Sequence, residues 1–264
     1  MKTKSLFVGV AISALLIQNA KADFYDNFDS YADSTAFGAA WTDTVGTGLE
    51  LNTAEFVSGP NSVKNPGTTA QQSRIAMPNK SATDISFSFS FYDYSTANAR
   101  DYGMVYSRAG GGAWTDGLNN LLAIGKFNTI AGTRYYGRVS TATGGIYGDG
   151  ASTPASTWFQ LGIGVSGYPV PSVGWHTAEI TGTPDPINSG KVIYKFYIDG
   201  ILGGSVANLN SVDYNWVVLG SGLSTAPSGI AFDDVTVSSV PEPSAFAFTA
   251  VALGALVAIR RFRK

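Results

Sequence analysis

Asp84-Ile85-Ser86-Phe87-Ser88-Phe89-Ser90-Phe91 alternates strictly between apolar and polar residues. Successive side chains of a β-strand point to opposite faces, so Ile85, Phe87, Phe89 and Phe91 fall on one side and the serines on the other. Similar runs cover 49–57, 62–65, 74–77, 102–108, 121–128, 134–140, 158–165, 175–181, 192–199, 215–219 and 230–237. Gly, Pro, Asn or Asp punctuates nearly every gap, as in Ser58-Gly59-Pro60-Asn61 and Thr183-Pro184-Asp185-Pro186. No helical periodicity of ten residues or more is seen between the two terminal segments. No fixed-period repeat argues for a propeller or β-helix. About a dozen short strands in one chain of this size predict a single all-β domain, a two-sheet antiparallel jelly-roll sandwich.

The two ends follow a different pattern. Residues 1–22 carry a basic start (Lys2, Lys4), an apolar stretch from Leu6 to Ile17, and Ala20-Lys21-Ala22. Ala20 and Ala22 make an A-x-A cleavage site, so 1–22 is expected to be a signal peptide and Asp23 the mature start. At the other end, Pro241-Glu242-Pro243 precedes 16 residues without a charge, 244–259. As a helix these would extend about 24 Å, slightly short of a hydrocarbon core of about 30 Å, a gap that snorkelling and local thinning can close. Arg260, Arg261, Arg263 and Lys264 would then hold the end on the cytoplasmic side. One C-terminal transmembrane helix is therefore expected.

This tail resembles the PEP-CTERM sorting signal of Gram-negative bacteria, which exosortases recognise and cleave near the Pro-Glu-Pro motif. The resemblance implies passage through the Sec machinery, transient anchoring in the inner membrane, and then the cell surface or extracellular matrix. It also divides the chain into a signal peptide (1–22), an exported domain (23–239) and a sorting signal (240–264).

The charge of the exported domain differs from that of the whole chain. Of 17 Lys and Arg, three lie before Asp23 and four in the tail, leaving ten; of 19 Asp and Glu only Glu242 lies outside, leaving eighteen and a net charge of −8. A domain of that sign repels phosphate backbones, which argues against nucleic-acid partners. Cysteine is absent, so no disulfide, thiolate nucleophile or Cys-ligated zinc is available. Stability must come from a core, and a domain of roughly 217 residues can bury a sizeable one.

Several segments are similar to those of the concanavalin A-like lectin/glucanase (laminin G-like) jelly rolls. They are the opening Phe24-Tyr25-Asp26-Asn27-Phe28-Asp29-Ser30-Tyr31, Trp41, Gly59-Pro60-Asn61-Ser62-Val63-Lys64, Gly174-Trp175-His176-Thr177-Ala178-Glu179-Ile180 with Lys195-Phe196-Tyr197-Ile198-Asp199-Gly200, and the final Phe232-Asp233-Asp234-Val235-Thr236-Val237. The resemblance implies a first strand lying beside the last and a hairpin turning at Asp199-Gly200.

Candidate sites were sought for four kinds of chemistry. A glycosidase needs two carboxyls, yet the domain has three Glu (Glu50, Glu55, Glu179) and lacks the Glu-x-Asp-x-x-Glu strand motif of the related glucanases. No catalytic residue is therefore assigned and the domain is expected to be non-enzymatic. His176 is the only histidine, so neither a multi-histidine metal site nor a Ser-His-Asp site is expected and a packing imidazole is the reading. For calcium, which takes six to eight oxygen ligands, Asp233 and Asp234 of the last strand with Asp26 and Asp29 of the first are the candidate ligands. Adjacent aspartates at strand ends also serve simply as solvated charges or turn acceptors. For a glycan, aromatic faces that stack on sugar rings are needed. Trp114, in a Gly-rich polar loop, and Tyr147, in another, are the candidates; Trp41, Trp158, Trp175 and Trp216 are assigned to the core.

These observations lead to a non-enzymatic protein of the exopolysaccharide layer that binds extracellular polysaccharide weakly. The alternatives are a structural or adhesive matrix component without a ligand, and a polysaccharide hydrolase.

Overall fold

The computed structural model describes residues 22–67, 69–96, 99–108, 118–127, 134–141, 158–221 and 229–240. In chain order the elements are β1 (Phe24–Asp26), α1 (Ser34–Ala40), β2 (Thr42–Val45), β3 (Glu50–Asn52), β4 (Ser62–Lys64), β5 (Gln72–Ser81), a 3-10 turn (Ala82–Asp84), β6 (Ile85–Asp93), β7 (Tyr102–Arg108) and β8 (Leu118–Gly125). They continue with β9 (Tyr136–Thr141), β10 (Phe159–Gln160), β11 (Gly174–Pro184), β12 (Lys191–Ile198), β13 (Ile201–Asn210), β14 (Asp213–Gly220) and β15 (Ile230–Ser238). Among the described residues these form two antiparallel sheets, the expected jelly-roll sandwich. One runs β13-β12-β11-β6-β15-β4-β3, with β1 also paired to β15; the other runs β10-β9-β8-β7-β14-β5-β2.

β6 is the central strand of the first sheet, and its alternation decides what the sandwich encloses. Ile85, Phe87, Phe89 and Phe91 are at most 2% exposed and face the second sheet. Burying each is worth about 1.5–3 kcal/mol. Phe89 touches Phe87, Phe91 and Phe232, with ring centroids 5.5–6.0 Å apart. Opposite it, β7 carries Gly103, because a Cβ there would lie 2.4 Å from the Phe89 ring.

At one end of the sandwich a buried polar cluster ties the sheets together. Asp93 closes β6 and is paired in register with both Gly174 of β11 and Ile230 of β15. Its carboxylate accepts from Lys126 Nζ at 2.6 Å, from the Ser95 N–H at 2.6 Å and from the Tyr135 hydroxyl at 2.9 Å. Lys126 and Tyr135 flank the ends of β8 and β9 in the other sheet, so these bonds span the core. A second tie joins the Tyr194 and Tyr214 hydroxyls, from β12 and β14, at 2.8 Å.

Three parts of the strand pattern differ from expectation. The run 158–165 yields only β10, because Gly162, Gly164 and Gly167 take φ of +72° to +74° and turn the chain away. The Gly-rich β13 completes the hairpin that the resemblance implied, and its Gly203 lets Tyr168 pack on the backbone; a Cβ would lie 2.2 Å from that hydroxyl. The short helix α1 was not anticipated. Asp33 caps it by accepting from the Ala36 N–H at 2.8 Å, and its single buried residue, Phe37, joins Phe28, Tyr31 and Trp41 in an aromatic cluster.

Replacing Lys126 by Met leaves the Asp93 carboxylate buried without its counter-charge, and urea titration should show a loss of roughly 3–5 kcal/mol. Adding Asp93→Asn to the same chain should restore a large part of that loss, since both charges are then gone.

Candidate functional site

Asp26, Asp29, Asp233 and Asp234 do lie where the first and last strands meet, since β1 pairs with β15 from Phe24↔Val237 to Asp26↔Val235. Their oxygens, however, point at donors of the protein. Asp26 accepts from the Tyr31 hydroxyl at 2.6 Å, the Trp41 indole N–H at 2.8 Å and the Phe28 N–H at 2.8 Å. Asp29 accepts from the Asn27 amide and the Asn61 N–H. Asp233 accepts from the N–H groups of Val57, Ser58 and Asp234, and Asp234 from the hydroxyls of Tyr25 and Ser58. Among the described residues no group of three or more Asp, Glu or His is placed to hold a metal ion. The four aspartates are thus not assembled as a calcium site: N–H and O–H donors occupy the positions where calcium would need further oxygens. They anchor the 53–61 loop and the α1 region to the last strand. β15 bulges between Asp233 and Thr236, with Asp234 at φ +49°, as it changes partner from β4 to β1.

His176 has neighbours that one histidine was thought to preclude. Its Nδ1 lies 2.8 Å from Asp199 Oδ2, and its Nε2 lies 3.2 Å from Ser172 Oγ. A Ser-His-Asp set needs only one histidine, so the count excludes a multi-histidine metal site but not this set. The geometry is that of a brace. Nε2 is equally close to the Ser172 carbonyl, Asp199 also accepts from the Thr177 N–H at 2.8 Å, and the ring stacks on Phe91. Asp199 has φ +51°, so these contacts hold the β12–β13 turn against the start of β11.

The chemically richest surface is the outward face of the second sheet. On β7, Val105 points into the core, so Tyr102, Met104 and Tyr106 point away from it. With Leu121, Ala123 and Val218 they form a separate apolar cluster, covered by the half-buried Trp158 and Trp216. Tyr106 stacks on Trp216 with ring centroids 6.3 Å apart, and the Arg74 guanidinium sits 4.7 Å from that indole. Across the sheet, Phe127 stacks on Trp158 at 5.0 Å, and Tyr102 lies 4.7 Å from the same indole. Arg138 and Arg100 lie over Trp158 and Phe127, at 5.8 Å and 4.9 Å. The Nε–H groups of both arginines are buried without a hydrogen-bond partner among the described residues. Burial holds Arg138 below its ordinary value; Tyr102 opposes this and Arg100 adds to it, so the two cations feel each other.

Sequence reasoning missed this face. Trp41 is in the core as expected, but Trp158 and Trp216 lie outside it, and half-buried Trp175 packs against Tyr92. The run Trp216-Val217-Val218-Leu219 is apolar on both phases, so alternation alone could not say which side was core. Trp114 and Tyr147, the expected sugar-stacking residues, lie outside the described residues.

No protein-family model matches the chain, and no curated protein resembles it significantly in sequence. Solved structures do share its fold. A mutant alginate lyase Aly36B in complex with alginate trisaccharide matches with a TM-score of 0.52 at 12% identity, covering 83% of this chain and 98% of that one. The endo-β-1,3-glucanase from Pyrococcus furiosus matches with a TM-score of 0.52 at 13% identity, covering 84% of this chain and 95% of that one. The expectation of a non-enzymatic domain is thereby corrected. It rested on the scarcity of Glu and the missing glucanase motif, whereas the fold carries lyases as well as glucanases, and the absence of glycosidase carboxyls does not exclude the other chemistry.

Two buried carboxyls should make stability depend on pH. Burial pushes Asp101 up to about 7, against the N–H of Gly229, that of Ile230 and the charge of Lys126, which lower it. Burial likewise pushes Asp233 up to about 6. Both hold a proton in the fold that the unfolded chain, at the ordinary value of 3.8, has already released. The stabilisation is complete below about pH 4 and is lost as pH rises through 6 and 7. Urea midpoints should therefore fall between pH 5 and pH 8, and Asp101→Asn should flatten that slope.

Proposed function

We propose that the exported domain binds a polysaccharide chain along the outward face of its second sheet, at the cell surface or in the extracellular matrix. The observation that carries this is the pair of half-buried indoles, Trp158 and Trp216, set on opposite sides of one sheet over a floor of Tyr102, Met104 and Tyr106. Flat aromatic faces accept the apolar side of a sugar ring, and neighbouring polar groups orient it. Gln160 and Tyr136, whose side chains are 3.4 Å apart on this same face, supply such groups nearby. The alginate lyase and the endo-β-1,3-glucanase share this fold, which supports a saccharide as the class of ligand.

Export rests on the sequence: the A-x-A site at Ala20 and Ala22, the Pro241-Glu242-Pro243 motif, the apolar 244–259 run and the basic end. Among the described residues no helix is long and apolar enough to cross a membrane, and the tail lies outside them. Processing by an exosortase removes the tail after translocation.

Binding of the full chain to a panel of soluble polysaccharides should weaken about tenfold on Trp158→Ala or Trp216→Ala, with circular dichroism unchanged; equal binding by all three proteins would remove the proposed face. For export, mass spectrometry of the mature protein should show Asp23 as the first residue and no peptide from 246–264. Recovery of that peptide would make the tail a plain anchor.

A further inference from the structure

The aromatic face bears charge of the opposite sign to the domain that carries it. The exported domain has a net charge of −8 and five arginines, of which Arg74, Arg100 and Arg138 lie on this face. The arrangement is therefore not the by-product of a basic composition. Arg100 and Arg138 also lack what surface arginines usually find. Among the described residues neither forms an ion pair, and each keeps a buried Nε–H without an acceptor. Two guanidinium groups held near each other, partly out of water and with no carboxylate partner among the described residues, are an electrostatic cost to the fold. A ligand that brings the missing anions would relieve that cost.

We propose that this face takes an acidic polysaccharide, one whose sugar rings carry carboxylates, with Arg100 and Arg138 pairing with a uronate beside Trp158. The inference rests on the polysaccharide-binding face described above and adds the class of ligand. A guanidinium matches the geometry of a carboxylate through two parallel N–H···O bonds, which a neutral sugar cannot accept as charge-assisted pairs. Cation–π contact with Phe127 and Trp158, at 4.9 Å and 5.8 Å, restrains both side chains, so less freedom is lost on binding. Arg74 stands over Trp216 on β5, four strand spacings from Arg138 on β9, a lateral distance of roughly 19 Å. The cations thus flank the aromatic floor on both sides, and a chain laid across the strands meets one at each end.

The test uses the full chain with three probes: polygalacturonate, dextran sulfate and uncharged dextran. Wild-type protein should bind polygalacturonate best, and the Arg100→Gln/Arg138→Gln double variant should lose about tenfold or more in affinity for it, with a smaller salt dependence. Arg138→Lys, which keeps the charge but not the fork, should recover only part of the wild-type affinity. Dextran bound as tightly as polygalacturonate, with dependence on Trp158, would overturn the acidic ligand while leaving the binding face intact. Dextran sulfate bound as tightly as polygalacturonate, with Arg138→Lys fully active, would replace carboxylate recognition by plain charge. Polygalacturonate binding unchanged in the double variant would remove the arginines from the site. No binding of any of these probes or of the polysaccharide panel by the wild-type protein would overturn both the inference and the function beneath it.

Discussion

The ion pair between Asp93 and Lys126 is the constraint on which the rest of this sandwich depends. Asp93 ends the central strand of one sheet, between β11 and β15, and Lys126 follows β8 of the other. Both side chains are almost wholly withdrawn from water. Neither charge is tolerable there alone, so the two sheets can close only in the arrangement that brings them together. Tyr135 adds a hydroxyl to the same carboxylate, and Asp101, fixed by the Gly229 N–H, binds the start of β15 to the start of β7. Hydrophobic burial supplies most of the stabilisation of such a domain. The polar cluster supplies register, because apolar surfaces can slide and this pair cannot.

With the sheets registered, their outward faces become distinct. The aspartates at the meeting of β1 and β15 are consumed in anchoring loops, with Asp26 taking hydroxyl, indole and backbone donors at once. The His176 brace likewise spends its hydrogen bonds on holding a turn. On the outward side of the second sheet the polar atoms are less fully used. The arginines there lie over aromatic rings, and Arg100 and Arg138 retain buried N–H groups without an acceptor among the described residues. Aromatic faces and arginines thus stand side by side there, on a domain that is otherwise acidic.

Much of the architecture was legible in the residues. The Ile85-Ser86-Phe87-Ser88-Phe89-Ser90-Phe91 alternation named the core face of β6 correctly, because only one of its faces is strongly apolar. The strand at 102–108 matched to the residue, and the Asp-Gly turn and the pairing of first and last strands followed from the resemblance. The site was not legible in the same way. Asp26 and Asp234 carry the residue type of a calcium ligand, but which atoms their oxygens meet depends on Trp41, Tyr31, Tyr25 and Ser58, brought there by the fold. Trp216 lies in a run apolar on both sides, so alternation does not decide its face, whereas Trp158 shares its phase with Gln160 and is read as core on residue type alone.

By itself, then, the sequence determined that the chain forms a β-sandwich and which side of its central strand is buried, since both depend on local periodicity. Only the tertiary structure decided where the arginines go. Arg74, Arg100 and Arg138 are separated by dozens of residues and share no motif. They converge on one aromatic face because strand order, and not chain order, sets which side chains are neighbours across a sheet.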